Sequence, residues 1–352
     1  MTTFLEIMSF ASIGVLLSVL ALIFKRSKVL AVLFLVLMWL LWGWNTDNGD
    51  YYNYELTYRY VVYLFQSDYE IGFKFLMFGG ELLGLSYQQF LQVLSLIILL
   101  LWSNVIFRLT DYPALALTIV FWIFFPIDYV QLRNTLAFAI VMQGLLCWIK
   151  FPRYGVIAFA LTVLLASTIH SSSIFYLSFV ILYFIKDWSL YRILAIATVI
   201  GVLALGLRSV IFNHLTIQTE GRTEYYTSSA ALTIIYTFIQ LVNACICIKI
   251  YEYVEDEGMD SSLFKLVAGF NILLMLLIPL YSTTAIVVRL FRNLILFDTL
   301  FYVNLLVDRD TPRQYAVYGV ALLCIVFIHF VGPVTEYTIE PLFTENLLLY
   351  SR

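Results

Sequence analysis

Apolar runs long enough to cross a membrane recur from one end of this chain to the other, and they exclude most folds at once. A hydrocarbon core about 30 Å thick needs roughly 20 apolar residues in helical form. Inside it every backbone polar group has to be satisfied by the chain itself. Runs of this kind lie near residues 4–24, 29–44, 87–108, 113–127, 130–149, 154–169, 172–186, 190–210, 229–250, 263–281, 285–307 and 313–331. The chain is 62% hydrophobic and 12% charged, which is about half the charged share of a water-soluble domain. The expectation is an all-α fold, a polytopic helical membrane protein with about 12 transmembrane helices. No linker, low-complexity tract or repeat divides it, so residues 1–352 read as a single integral membrane domain. Segment 71–84, IGFKFLMFGGELLG, is short and carries Lys74 and Glu81, so it reads as a re-entrant or interfacial helix.

The first run lacks a basic leader and a small-residue cleavage site, and reads as a span rather than a signal peptide. Cys147, Cys245, Cys247 and Cys324 fall within or at the ends of predicted helices. Cys245 and Cys247 diverge on a helix, so they read as packing residues rather than a metal or redox pair. Orientation follows from Lys and Arg, which favour the cytoplasmic turns. With Lys25, Arg26 and Lys28 inside, the turns bearing Arg108, Lys150 with Arg153, Lys186 with Arg192, Lys249 with Lys265, and Arg309 with Arg313 also fall inside. Together these are more than half of the 20 Lys and Arg. Both termini and the loops 45–70 and 211–228 then fall outside.

Against that trend, several charges sit at the outer ends of apolar runs. In FPIDYVQLRNTLAFAI, residues 125–140, Arg133 follows Asp128 by little more than a turn. An ion pair with Asp128 or a snorkelling anchor is the bland reading, but intramembrane charges are costly and mark function. In AIVVRLFRNLILF, Arg289 and Arg292 are three apart and share a helical face, and the nearest acid on that helix, Asp298, lies nearly two turns deeper. Arg222, in EGRTEYY, is an ordinary loop charge unless it joins the others. Guanidinium groups converging near the outer leaflet would match a pyrophosphate, which each fork can grip bidentately.

His170, in STIHSSSIFYL, stands at the predicted outer surface, where a neutral imidazole can accept a hydroxyl proton. The loop 45–70 interleaves Tyr51, Tyr52, Tyr54, Tyr58 and Tyr60 with Asp47, Asp50, Glu55, Asp68 and Glu70. Interfacial aromatic belts explain part of this, while aromatic faces beside carboxylates also suit a sugar site. No Walker loop, Rossmann glycine set, zinc motif or nucleophile elbow is present, so nucleotide-driven chemistry is not expected. No cofactor, metal or nucleic-acid partner is expected.

In order along the chain stand Asp50-Tyr51 with Tyr54, Glu70-Ile71-Gly72, QLRNTLAFAI, IHSSSIFYL and VVRLFRNLILF. That series resembles the EpsG-like family, Wzy-type polymerases of bacterial exopolysaccharide and O-antigen, over roughly residues 45–300. One departure is Asn134, where the family pattern has glutamine. The resemblance implies a GT-C-like, metal-independent hexosyltransferase on the outer face of the bacterial cytoplasmic (inner) membrane. It would transfer a growing glycan from undecaprenyl diphosphate to a lipid-linked repeat unit. The implied partners are those donor and acceptor lipids and membrane lipid, with a flippase and a chain-length regulator as candidate protein partners. Arg133, Arg289 and Arg292, with Arg222, would bind the diphosphate. His170 would be the first base and Asp50 the second, and Tyr51, Tyr54 and Glu70 would line the sugar groove. A flippase or transporter of lipid-linked oligosaccharide is the main alternative, since it too must face a polyprenyl diphosphate. It would favour pseudo-symmetric halves, which the sequence does not show. A membrane O-acyltransferase would use His170 but leaves the arginines unexplained.

Overall fold

Helices make up nearly all of the regular structure in the computed structural model, which describes residues 2–207, 229–282, 287–307 and 313–350. Among the described residues the one departure is an isolated antiparallel bridge between Asn45 and Asn346. The chain packs into two compact units.

The first unit holds Met1–Ile174, Thr299–Val307 and Leu323–Arg352. Helices α1 (Thr2–Ile23) and α2 (Lys28–Gly43) flank the KRSK turn. There Ser27 caps α2 by accepting the Leu30 N–H at 3.2 Å, one of the four N–H groups a helix start leaves unsatisfied. Short helices α3 (Tyr51–Arg59) and α4 (Val61–Gln66) follow, where the sequence reads as an external loop. Segment 71–82 forms α5 (Ile71–Leu82), which buries Phe73, Met77 and Gly80. These lie three and four apart, so one face packs while Ile71, Phe75 and Leu82 on other faces stay exposed. At about 18 Å, twelve residues at 1.5 Å each are too short to cross. Helix α6 (Tyr87–Leu109) begins with a complete capping box between Ser86 and Gln89.

Helix α7 (Pro113–Asp128) contains a π-helical turn at Val120–Phe124. Pro126 lacks the N–H that would bond the Trp122 carbonyl, and its ring crowds that carbonyl, so the turn before it widens. The chain then breaks and restarts as α8 (Leu132–Lys150), followed by α9 (Gly155–Ser167). Helices α8 and α9 pack closely because both offer glycine at the crossing. A Cβ at Gly144 would strike the Thr162 side chain and Phe159 backbone, and one at Gly155 the Cys147 carbonyl. Small residues at such crossings let helix backbones approach.

The second unit holds Phe175–Asp298 and Asp308–Leu322. Helix α10 (Ser171–Phe184) is 3-10 over its first ten residues and passes from the first unit into the second. It is followed by α11 (Leu190–Gly206), α12 (Ala230–Asp256) and α13 (Ser262–Leu280). Phe179 stacks on Phe270 with ring centroids 4.5 Å apart. Pro279 lies within the 3-10 turn that ends α13, again where a helical hydrogen bond is lost. Helix α14 (Val288–Val307) gives its first half to this unit and its second half to the first. Helix α15 (Arg313–Val326) follows, and in the first unit come α16 (Thr335–Thr344) and a last helical turn, Leu347–Tyr350.

Among the described residues four helices, α6, α8, α12 and α13, are long and apolar enough to cross a membrane. Seven other apolar stretches among the described residues are 10–17 residues long, and length alone does not establish the expected count of about 12 spans. The class is nonetheless plain: an all-helical membrane protein.

Candidate functional site

The break between α7 and α8 places Arg133 in the first turn of a helix, with Gln131 as an N-cap that makes no side-chain capping bond. A cation is disfavoured there, because the helix dipole is positive at its N-terminus. Glu70, just before α5, offsets this. Arg133 Nη1 donates to Glu70 Oε2 at 2.5 Å, and both side chains are largely buried, at 13% and 17% exposure. Asp128 is therefore not the partner of Arg133. The guanidinium also lies over the Tyr69 ring, 4.5 Å from its centroid, an attraction of about 0.5–2 kcal/mol. Its Nε donates to the Tyr54 hydroxyl at 3.3 Å. Nη2 makes no hydrogen bond among the described residues, so one donor edge of the guanidinium is left for a ligand.

The other carboxylate oxygen faces the turn between α9 and α10. Glu70 Oε1 accepts the Ser171 backbone N–H at 2.9 Å, and His170 Nδ1 lies 3.6 Å from it. The Gly72 N–H donates to the Thr168 carbonyl at 2.7 Å. A Cβ on Gly72 would run into Thr168, so the Glu-Ile-Gly sequence is explained by close approach of two backbones. Burial works against the charge on Glu70, but His170, Arg133 and the Ser171 N–H outweigh it and hold the carboxyl well below the usual range. Burial pushes the Tyr54 phenol up to about 12, with Arg133 pulling the other way. At neutral pH the site thus contains a carboxylate, a guanidinium, an imidazole and a neutral phenol.

Four of the residues singled out in the sequence, Tyr54, Glu70, Arg133 and His170, meet here. Asp50 occupies the N-cap position of α3 without capping it, and its charge reaches Tyr54. Tyr51 turns to another contact: its hydroxyl donates to Gln88 Oε1 at 3.0 Å, and its ring meets Tyr87 edge-on. Arg289 and Arg292 belong to the second unit, on one face of α14. Arg292 is buried and Arg289 half-buried, and Arg292 acts electrostatically on Tyr176 and Tyr236. Arg222 lies outside the described residues.

Not singled out in the sequence were Tyr69 and Phe73, which floor the guanidinium. Aromatic residues flanking an acidic residue one helix away from an intramembrane arginine are the signal that would have found them. Equally unread was a buried cluster in the second unit. Asp298 is fully buried, and its Oδ2 accepts from Asn243 Nδ2 at 2.8 Å and Asn271 Nδ2 at 2.9 Å. Asn243 Nδ2 also donates to Asn271 Oδ1 at 2.6 Å.

A helical membrane protein with a desolvated guanidinium, a carboxylate and a histidine gathered in one unit is the class that fold and site define. The chain matches the model of the EpsG family over residues 28–341, nearly its whole length, and belongs to that family of Wzy-like polymerases. Membership points to a polysaccharide-polymerase-like function. No curated protein and no solved structure matches the chain.

Proposed function

We propose that the chain polymerises a bacterial polysaccharide, transferring a growing glycan from undecaprenyl diphosphate to a lipid-linked repeat unit on the outer face of the cytoplasmic membrane. The observation that carries this reading is the guanidinium of Arg133, held in place through two of its nitrogens with a third left for a ligand, beside a histidine. In the transfer, an acceptor hydroxyl oxygen bonds to C1 of the donor sugar. The C1–oxygen bond to the diphosphate breaks, and the electron pair leaves with the phosphate oxygen. The acceptor proton passes to a base, for which His170 is the candidate. Charge builds on the departing diphosphate, and a fixed cation at a helix N-terminus suits that charge. Glu70 keeps Arg133 oriented without filling its last donor. Arg289 and Arg292 carry the same proposed anion-binding role in the second unit.

The test is reconstitution. Purified protein in detergent, given lipid-diphosphate-linked repeat units, is expected to yield a ladder of polymer on a gel. Folded Arg133→Ala and His170→Ala variants are expected to lose it. A chemically verified substrate that gives no ladder with wild-type protein would reject the polymerase in favour of a flippase.

A further inference from the structure

Glu70 touches both the arginine and the turn carrying the histidine. Its two oxygens are divided between them. Oε2 accepts from Arg133, while Oε1 accepts the N–H of Ser171, the residue after His170, and faces His170 Nδ1. The backbone bond from Gly72 to Thr168 fixes the same two segments on the other side of His170's position in the chain. The carboxylate is thus bound at both ends.

We infer that Glu70 is a positioning residue: it orients the His170 imidazole toward the acceptor hydroxyl and the Arg133 guanidinium toward the diphosphate, and so sets base and anion ligand in register. This inference rests on the polymerase reading. A carboxylate at Nδ1 favours the tautomer with its proton on that nitrogen, which leaves Nε2 as the base. Glu70, from the start of α5, lies beside His170, and Arg133 from α8, with the phenols of Tyr54 and Tyr69 about it, meets the other oxygen of that carboxylate. Glu70 stays charged through the physiological range, so the acid limb of the rate profile belongs to the imidazole. The anion beside it favours imidazolium and raises the pH at which the base form appears.

Glu70→Gln removes the anion and leaves the Arg133 charge uncompensated, and both changes favour neutral imidazole. The acid limb of polymerisation is expected to move about one unit to lower pH. Its plateau is expected to fall roughly 10- to 100-fold, in kcat more than in KM, as the groups lose register. Glu70→Asp keeps the charge but shortens the reach. It is expected to keep the limb at the wild-type pH with an intermediate plateau, and it carries the test if Glu70→Gln does not fold. A wild-type ladder whose acid limb and plateau are unchanged in Glu70→Gln would overturn the positioning role alone, as would Glu70→Asp with a displaced limb. Wild-type protein that polymerises nothing at any pH would overturn the polymerase reading, and this inference with it.

Discussion

Each unit buries a carboxylate, and the two are treated differently. In the first, Glu70 faces an arginine, a histidine and a backbone N–H. In the second, Asp298 makes no salt bridge among the described residues: two asparagine amides share its Oδ2, and its Oδ1 has no hydrogen-bond partner among them. Asn243 and Asn271 keep other partners as well, since Asn271 Nδ2 also reaches the Val267 carbonyl at 3.1 Å. A cluster of amides around one acid, closed within three helices, fixes how those helices pack. An ion pair with a leftover guanidinium donor, a histidine and partial exposure is instead arranged to meet a ligand. Burial of a charge thus does not by itself mark a site; what marks it is the donor that the protein leaves uncommitted.

The sharpest way to break the comparison is by activity. Arg133→Ala is expected to lower polymerisation by about 10²–10³-fold, the usual cost of removing one donor to developing charge. Arg133→Lys is expected to recover part of it, because an ammonium supplies charge without the fork. Asp298→Asn is expected to leave the rate per folded molecule within about twofold of wild type. A comparable loss there would move the second cluster into the machinery.

Stability gives the next largest contrast. Removing one partner of a buried pair strands the other and costs about 3–5 kcal/mol, so Arg133→Ala should lower the thermal midpoint clearly. A double-mutant cycle with Glu70→Ala should then show the second substitution costing less than the first. Asp298→Leu removes an acceptor from amides that keep other partners, and is expected to cost about 1–3 kcal/mol. If Asp298→Leu proved the more damaging, the amide cluster would be the stronger element.

Smaller effects sharpen the picture. Gly72→Ala forces α5 away from Thr168 and is expected to cost about 1–3 kcal/mol, with a drop in activity that Gly79→Ala, which meets no neighbour, does not share. The pH dependence of folding has a definite sign. The folded value of Glu70 is depressed, so its contribution is complete above the ordinary carboxylate value of about 4.3 and is lost only as pH falls through the lower, folded value. Above the pH at which the neighbouring imidazole takes up a proton, wild-type and Glu70→Gln melting curves should therefore differ by a constant amount. Tyr51→Phe removes one hydrogen bond to Gln88 and should cost about 0.5–1.5 kcal/mol, with little change in rate.

Much of this was legible in the sequence. Arg133 and His170 stand out because polar groups are rare in such apolar surroundings, and the main apolar runs became helices close to where they were read. The pairing of Glu70 with Arg133 was hidden by the 63 residues between them, which helical spacing rules do not bridge; the nearer Asp128 looked the better partner. Helices α3 and α4 were hidden because their Tyr- and Asp-rich sequence carries no apolar period. Asn243 and Asn271 carried no reading of their own within their apolar runs, and only packing shows that both donate to Asp298. The need for glycine at position 72 appears only when the Thr168 backbone is seen against it.

The most direct test of Arg133 as a diphosphate ligand needs no turnover. Binding of undecaprenyl diphosphate to detergent-solubilised wild type, Arg133→Gln and Asp298→Asn would be compared by titration at low and at physiological salt. Arg133→Gln is expected to bind at least about tenfold more weakly, a loss of roughly 1.4 kcal/mol or more, with Asp298→Asn matching wild type. Equal affinity of wild type and Arg133→Gln, in variants that remain folded, would contradict the assignment.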